Sequence, residues 1–271
     1  MIEFDRTTPV MAAIRATRGF VDVTAAADAT VTVDVVPLDD SDAAHRAAED
    51  TTVTLDGDML AVTVPESSGW TWRRLPRLGI TVRVPAESAL SVKTVSADVR
   101  SVGRYAQVKV DVASGKVYVE DVIGDADLRA ASGTLTANQV GGSLRIRTGS
   151  GDVRVGDVTG DVNAGTASGS VAIRSLGGSA KASTASGNVT IEAVRQGTVR
   201  ASTASGNVRV GVVPGTRVWL DAGTASGMTR NNLAAGDEHN GAGAADAELR
   251  LRTASGNITV ERAPSAQHTA A

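Results

Sequence analysis

The chain has 271 residues, with 29 Gly, no Cys, 3% aromatic residues and a formal net charge of −3. The absence of Cys excludes disulfide bonds, Cys-type zinc sites and a thiol nucleophile, and the near-neutral charge argues against a general nucleic-acid-binding protein. The sequence shows neither a run of 18 apolar residues nor the apolar segment of a secretory signal, so it predicts no membrane span and a cytoplasmic location by default.

Residues 1–78 contain strand-like runs that follow no common period, at positions 20–24, 30–36, 51–55 and 59–64. An acidic, Ala-rich stretch between the second and third runs, DDSDAAHRAAED, predicts one short helix or a loop. We therefore expect residues 1–78 to form a β region that differs from the rest of the chain.

From residue 79 onward the sequence repeats every 18 residues. Ser-Gly pairs recur with the serines Ser114, Ser132, Ser150, Ser168 and Ser186, and a second set of glycines divides each repeat into two nine-residue halves. After the glycines, β-branched residues alternate with other residues, as at Val171 and Ile173, which predicts strands. The Ser-Gly pairs predict tight corners, because Gly readily adopts the positive φ that such corners need.

Two architectures fit a nine-residue unit of strand and turn. In an antiparallel meander each turn reverses the chain, whereas in a parallel β-solenoid two halves form one coil and identical positions stack about 4.8 Å apart. The recurrence of residue types every 18 residues favours stacking, because Val then lies on Val and Gly on Gly. The sequence predicts an all-β parallel β-solenoid (β-helix) of about nine 18-residue coils.

The predicted solenoid spans residues 79–262. Open solenoid ends expose unpaired strand edges, so we expect the N-terminal region 1–78 to supply a β-strand cap. Residues 228–247, rich in Gly, Asn and Ala, predict a loop insertion within a coil. Residues 263–271 are expected to form a disordered tail.

The chain resembles a known bacterial family over nearly its whole length. The resemblance is carried by the segment 70–78, the strand GITVRVPAESALSV that follows it, and the TASGNV repeats. In this order they are similar to the "putative adhesin" family of domains of unknown function, which is common in actinobacteria. The resemblance implies a β-helix with no established activity.

One segment before the repeats combines aromatic and basic residues, which are Trp70, Trp72, Arg73, Arg74 and Arg77. Such a combination binds anionic polymers, phosphate groups or a membrane surface through charge and stacking. The alternative is a loop whose tryptophans cover the end of the solenoid. If the protein has a ligand or partner contact, these residues are the predicted one.

The carboxylates give little support to metal binding or catalysis. Calcium-binding nonapeptides need G-G-x-G-x-D, and the closest run, GGSLRI, lacks the third Gly and the Asp. Asp121 and Asp157 share a repeat phase, as do Asp125 and Asp161, and glycosidases use carboxylates about 5 Å or 6.5–9.5 Å apart. Neither pair is accompanied by a His or by aromatic residues that would stack on a sugar.

Other polar positions have simple structural interpretations beside a functional one. A recognition face is one interpretation of the outward residues Asn188, Asn207, Asn257, Arg145, Arg147, Arg154 and Arg174. The other is that each Asn closes a turn and each Arg keeps a strand face soluble. No Ser-His-Asp set is predicted, since the serines belong to repeated corners and His45, His239 and His268 stand in unrelated contexts.

The sequence thus predicts a non-enzymatic structural or interaction protein, an adhesin-like β-solenoid that presents repeated Thr, Ser, Asn and Arg surfaces to a protein or a cell-envelope component. It predicts no cofactor, no metal and no nucleic-acid partner. The alternative is a carbohydrate-active β-helix enzyme, a polysaccharide hydrolase or lyase. A groove that gathers two or more carboxylates would favour the enzyme, and a flat polar face would argue against it.

Overall fold

The computed structural model describes residues 1–27, 29–65, 76–233 and 245–264. The chain divides into two compact units, Met1–Gly141 (unit 1) and Gly142–Ala271 (unit 2). Within the described ranges, no helix has the length and hydropathy needed to cross a bilayer.

In its described residues, unit 1 contains one helix, α1 (Asp42–Glu49), and a series of short and long strands. The strands are β1 (Ile2–Phe4), β2 (Met11–Ala26), β3 (Val31–Pro37), β4 (Thr52–Asp56), β5 (Met59–Thr63), β6 (Arg77–Pro85), β7 (Ala89–Tyr105), β8 (Gln107–Ser114), β9 (Val117–Val122), β10 (Ala126–Ser132) and β11 (Leu135–Val140).

The strands β7 to β11 stack in parallel, as the 18-residue repeat predicts. Strand β8 lies between β7 and β10, with Val110 opposite both Val92 and Leu128. Strand β9 lies between β7 and β11, with Val117 opposite Leu135. Because partners differ by 18 residues, the parallel solenoid is confirmed and the antiparallel meander is wrong.

The strand β2 forms a coil of the solenoid although it lies in the region predicted as a cap. On one side it pairs in parallel with β7, where Ile14 is opposite Val92. On the other side it pairs in parallel with β5 and β6, where Ile14 is opposite Val62 and Val21 is opposite Ile80. Coil stacking therefore starts well before residue 79, and β2 is inserted between two coils that come later in the chain.

Three antiparallel strands and one helix from the N-terminal region cover the coil that β5 and β6 form. Strand β3 pairs antiparallel with β6, β4 pairs antiparallel with β5, and β1 pairs antiparallel with β3. The acidic, Ala-rich stretch forms α1, whose N-cap residue Ser41 accepts a hydrogen bond from the backbone N–H of Ala44. The helix buries Ala44 and Ala47 and contacts β3 and β6.

One buried aromatic residue ties two coils of unit 1 together. The hydroxyl of Tyr105, at the end of β7, donates a hydrogen bond of 2.9 Å to the carbonyl oxygen of Val23 in β2. Burial raises the pKa of this hydroxyl, because the ionised form is disfavoured away from water. Tyr105 is therefore a neutral structural donor.

In the described residues of unit 2, all regular secondary structure is β-strand. The strands are β12 (Leu144–Ser150), β13 (Val153–Val158), β14 (Val162–Ser168), β15 (Val171–Leu176), β16 (Ala180–Ser186), β17 (Val189–Val194), β18 (Gly197–Ser205), β19 (Val208–Val212), β20 (Val218–Ser226), β21 (Thr229–Asn231), β22 (Ala247–Ser255) and β23 (Ile258–Arg262).

The core of unit 2 is a set of straight aliphatic columns. Val171 lies between Val153 and Val189 in the ladder of odd-numbered strands, and the column continues through Val208 and Ile258. All five side chains are at most 1% exposed. Full burial of such a side chain contributes about 1.5–3 kcal/mol, so the columns supply the main stabilisation of the unit.

Side chains of the TASG motif connect one coil to the next. The hydroxyl of Thr203 donates to the carbonyl oxygen of Gly187 at 2.9 Å, and Thr184 makes the same bond to Gly169. The backbone N–H of Asn207 donates to the Oδ1 atom of Asn188 at 2.9 Å. These bonds account for the recurrence of Thr and Asn in the corners.

The last coil of the sequence does not occupy the outermost place in unit 2. Strand β22 pairs in parallel with both β18 and β20, with Leu249 opposite Val199 and Leu220. Strand β23 likewise pairs with β19 and β21. The predicted loop insertion at 228–247 includes β21 and the first residue of β22, while residues 234–244 and 265–271 lie outside the described residues.

Candidate functional site

Arg77 is the one predicted contact residue that falls within the described residues, where it is the first residue of β6. Trp70, Trp72, Arg73 and Arg74 lie outside them.

Arg77 and Arg18 lie side by side on neighbouring strands. Arg18 in β2 is opposite Arg77 in β6 and, on its other side, opposite Ser96 in β7. Ser96 is in turn opposite Ser114 in β8. Since adjacent strands are about 4.8 Å apart, two arginines and two serines form one continuous column at a corner of unit 1.

This column borders a cleft of about 400 Å³. Its lining consists of Arg18, Gly19, Arg77, Ser96, Ala97, Asp98, Ser114 and Gly115. The cleft thus combines two guanidinium groups with two hydroxyls and exposed backbone.

Gly19 explains why β2 can approach β6 so closely here. Its φ is +125°, and a Cβ atom at this position would lie 1.9 Å from the carbonyl oxygen of Leu78. Only Gly fits both the backbone conformation and the space. The residue therefore fixes Arg18 directly beside Arg77.

Neither Arg18 nor Arg77 forms a salt bridge with any acid in the described residues. Asp98 lines the same cleft, but its carboxylate accepts a 2.8 Å hydrogen bond from the backbone N–H of Lys116. The pKa of Asp39 is lowered chiefly by hydrogen bonds from Ser41, and the charge of Arg77 has a smaller effect on it. With respect to the described residues, both guanidinium groups therefore keep donors for an anion, which arginine binds in a bidentate manner.

The sequence prediction identified Arg77 but missed Arg18. A signal was present, because the segment ATRGFVDV has Gly19 followed by Val21 and Val23, in the same order as Gly187, Val189 and Ile191 of a repeat. Arg18 occupies the position that Ser takes in the repeats. The signal is weak because it stands outside the 18-residue phase.

The predicted carboxylate pairs are engaged in local interactions. Asp121 of unit 1 lies 3.8 Å from Arg104, and Asp157 of unit 2 lies 2.6 Å from Arg174. The carboxylate of Asp161 accepts a 2.8 Å hydrogen bond from the backbone N–H of Ser179. Hydrogen bonding to a backbone N–H and pairing with Arg are structural roles for these carboxylates.

A different pair of carboxylates borders a small cleft in unit 2. Glu192 and Glu261 line a volume of about 190 Å³ together with Arg209 and Gly211. Glu261 forms an ion pair with Arg209 at 3.9 Å. No aromatic residue lines the described part of this cleft, so its chemistry is that of an ion-paired surface.

The Asn and Arg residues considered as a recognition face have different roles in the structure. Asn188 and Asn207 accept hydrogen bonds from the backbone of the neighbouring coil, and Arg154 pairs with Asp152 at 2.9 Å. Arg145 and Arg147 are exposed on β12. Within the described ranges, no group of three or more His, Cys, Asp or Glu residues could hold a metal ion.

The chain matches one family model, that of Toastrack DUF4097, over residues 14–261. No curated protein sequence matches it.

Solved structures that the chain is similar to include three bacterial proteins, each aligned over 96% of this chain. A "putative adhesin" from Bacteroides fragilis NCTC 9343 is 13% identical, with 96% of that chain covered and a TM-score of 0.41. A "putative lipid binding protein" from Parabacteroides distasonis ATCC 8503 is 12% identical, with 95% covered and a TM-score of 0.43. A "putative adhesin" from the same organism is 10% identical, with 96% covered and a TM-score of 0.37. Identities this low carry no function over to this chain.

Proposed function

The chain belongs to the Toastrack DUF4097 family, and we propose that, as a member of it, the protein is a non-enzymatic, adhesin-like interaction module that holds an anionic partner in the Arg18–Arg77 cleft. The observation that carries this proposal is the placement of two exposed arginines in one column beside a cleft of about 400 Å³. Like charges on neighbouring strands repel each other, and an anion bound between them offsets this repulsion.

The chemistry of the cleft suits a phosphate, sulfate or carboxylate group. Arginine donors match the geometry of such oxyanions, and the hydroxyls of Ser96 and Ser114 extend the column of donors. Trp70, Trp72, Arg73 and Arg74 precede Arg77 closely in sequence, and we include them in the proposed contact. A cell-envelope polymer or an acidic protein surface would present the required groups.

The alternative of a carbohydrate-active enzyme receives less support. A groove that gathers two or more carboxylates would favour such an enzyme, and the cleft lined by Glu192 and Glu261 meets that condition in part. Glu261 is ion-paired with Arg209, and no aromatic residue that would stack on a sugar lines the described part of this cleft. Hydrolysis of a polysaccharide is therefore the second candidate, to be detected by release of reducing ends that depends on Glu261.

The proposal is tested with the double variant Arg18→Ala/Arg77→Ala. Binding is measured by sedimentation with phosphatidylglycerol vesicles and with a purified anionic cell-wall polymer, with phosphatidylcholine vesicles as the neutral reference. Because each charge-assisted hydrogen bond contributes about 1.5–3 kcal/mol, we expect the double variant to lose binding at least tenfold. Trp70→Ala/Trp72→Ala is expected to weaken binding to the same probe.

The matched control is Arg83→Ala/Arg100→Ala, which removes the same charge from exposed positions on β6 and β7. This control should bind within about twofold of the wild type, since charges outside the contact contribute little. An equal loss in the control, or no binding of either anionic probe by the wild type, would contradict the proposal.

A further inference from the structure

One ladder of unit 2 presents a strongly cationic outer surface. The ladder runs β12–β14–β16–β18–β22–β20. Its outward positions carry six basic residues, which we call the cationic face: Arg145, Arg147, Lys181, Arg200, Arg250 and Arg252.

Most of these cations share one straight column. Lys181 on β16 is opposite Arg200 on β18, and Arg200 is opposite Arg250 on β22. Arg145 on β12 joins the column through Asn163 on β14. With about 4.8 Å between strands, the four charges span about 19 Å across the strands.

Four of the six residues of the cationic face have no neutralising acid. Strands β12, β14, β16 and β18 contain no Asp or Glu, and within the described residues no salt bridge forms at Arg145, Arg147, Lys181 or Arg200. Such a same-sign column is electrostatically unfavourable alone and attracts an anion that spans it.

The two acids of this ladder stand at one end of it. Glu248 pairs with Arg250 at 2.5 Å, and Asp221 pairs with Arg252. The acids therefore leave the central part of the column positive.

The outward residues of the other ladder of unit 2 follow a different pattern. There Arg174 pairs with Asp157 at 2.6 Å and Arg209 lies 3.9 Å from Glu261. The unpaired column is thus a property of one ladder and not of the whole unit.

An aromatic residue stands beside the end of the cationic face. The side chain of Trp219 on β20 is exposed, with 48% of the residue surface accessible, and the guanidinium carbon of Arg250 lies 5.8 Å from its ring centroid. Arg250 is held in place by a 2.6 Å hydrogen bond from its Nε atom to Glu248. This arrangement orients the indole and keeps a large part of it available to a ligand.

We propose that the cationic face and Trp219 bind an acidic polysaccharide that lies across the strands of unit 2. Its carboxylates would contact Arg145, Lys181 and Arg200, and one sugar ring would stack on Trp219. A polysaccharide fits better than a nucleic acid, because single-stranded nucleic acids stack successive bases on several aromatics and the described part of this face offers one. The site is separate from the Arg18–Arg77 cleft and does not depend on it.

The test uses three exposed positions, changed together as Arg145→Ala/Lys181→Ala/Arg200→Ala. The full-length chain is titrated with two acidic polysaccharides, polygalacturonate and hyaluronate, and with neutral dextran. We expect the wild type to bind at least one acidic polysaccharide in a salt-dependent manner and dextran not at all. The triple variant should lose affinity at least tenfold, since several charge contacts act together.

The matched control is Arg154→Ala/Arg209→Ala/Arg230→Ala, which removes equal charge from one outward column of the other ladder. It should retain binding within about twofold. Circular dichroism and thermal melting establish that both triple variants keep the fold. An equal loss in both variants would overturn the proposal.

Variants of Trp219 distinguish a polysaccharide from other polyanions. Trp219→Ala should weaken binding to the acidic polysaccharide about threefold to tenfold, Trp219→Phe should preserve most of it, and neither should change binding to polyphosphate. Failure of the wild type to bind either polysaccharide would overturn the proposal. So would tighter binding to poly(U) RNA that is insensitive to Trp219.

Discussion

Threonine hydroxyls connect neighbouring corners of unit 2, and the matching positions of unit 1 lack these bonds. In unit 2, Thr184 and Thr203 stack in one column and donate to glycine carbonyls of the preceding coil. In unit 1 the matching column contains Val112 and Ala130 next to Thr94, whose hydroxyl is buried without a hydrogen-bond partner in the described residues. Both units have the same kind of aliphatic columns. The polar corner therefore adds to the core, and the core forms without it.

The outward charges of the two units differ as well. On β7, β8 and β10 of unit 1, the column Lys93, Asp111 and Arg129 alternates in sign. On β16 and β18 of unit 2, Lys181 and Arg200 are neighbours of like sign. Because outward positions do not pack in the core, they are free to differ, and this freedom lets one scaffold carry different surfaces.

The largest expected effect concerns the glycine corner that both units share. The φ of Gly206 is +145°, and a Cβ atom there would lie 2.0 Å from the carbonyl oxygen of Gly187. We expect Gly206→Ala to lower the free energy of unfolding by at least about 3 kcal/mol, because backbone strain and a backbone clash combine. Urea denaturation followed by circular dichroism measures the change.

A substitution at Gly215 measures the effect of backbone strain without a steric clash. Its φ is +84°, but no atom lies within 4 Å of a Cβ built there. Gly215→Ala should therefore cost only about 1–2 kcal/mol. If the two variants were equally unstable, close stacking of the corners would not be the reason for Gly at position 206.

A smaller effect is expected from removal of one corner hydroxyl in unit 2. Thr203→Val keeps the shape of the side chain and removes the hydrogen bond to Gly187. The expected loss is about 1 kcal/mol in the free energy of unfolding. Thr190→Val, at an outward position of β17, serves as the control and should change little in the same denaturation experiment.

The smallest expected effect is a gain in unit 1. Ala130 lies three residues before Gly133, and Thr166 lies three residues before Gly169, so the two positions are equivalent in the repeat. The hydroxyl of Thr166 donates a hydrogen bond to the carbonyl oxygen of Gly151, 15 residues before it. Ala130→Thr should form the same bond to Gly115 and add about 0.5–1 kcal/mol. Thermal melting measures this gain. The control is Ala131→Thr, which introduces the same residue with the same strand propensity at an exposed position. Equal gains in the two variants would show that strand propensity alone is responsible.

The repeat predicted local structure well because each coil is specified by its own residues. The alternation after each Ser-Gly pair predicted strands such as β13 and β15, and Gly at the corners predicted positive φ, as at Gly169 and Gly187. The parallel stacking followed from the recurrence of residue types, since only stacking places Val171 on Val153.

The candidate site was harder to predict because it depends on the order of the coils. Arg77 stood out beside aromatic residues, but Arg18 came to it only through the insertion of β2 next to β6. In unit 2, the insertion of β22 likewise brings Arg250 beside Arg200 and beneath Trp219. Neither arrangement follows from the period of the repeat.

The sequence by itself thus determined the coil: its length, its inward aliphatic residues, its glycine corners and its parallel register. Only the tertiary structure decided which coil lies next to which, as β2 and β22 demonstrate. The physical reason is that every coil offers the same pairing edge with the same register, so pairing alone does not distinguish one neighbour from another. The order, and with it the neighbours of Arg18 and Trp219, is selected by contacts between residues that are distant in the chain.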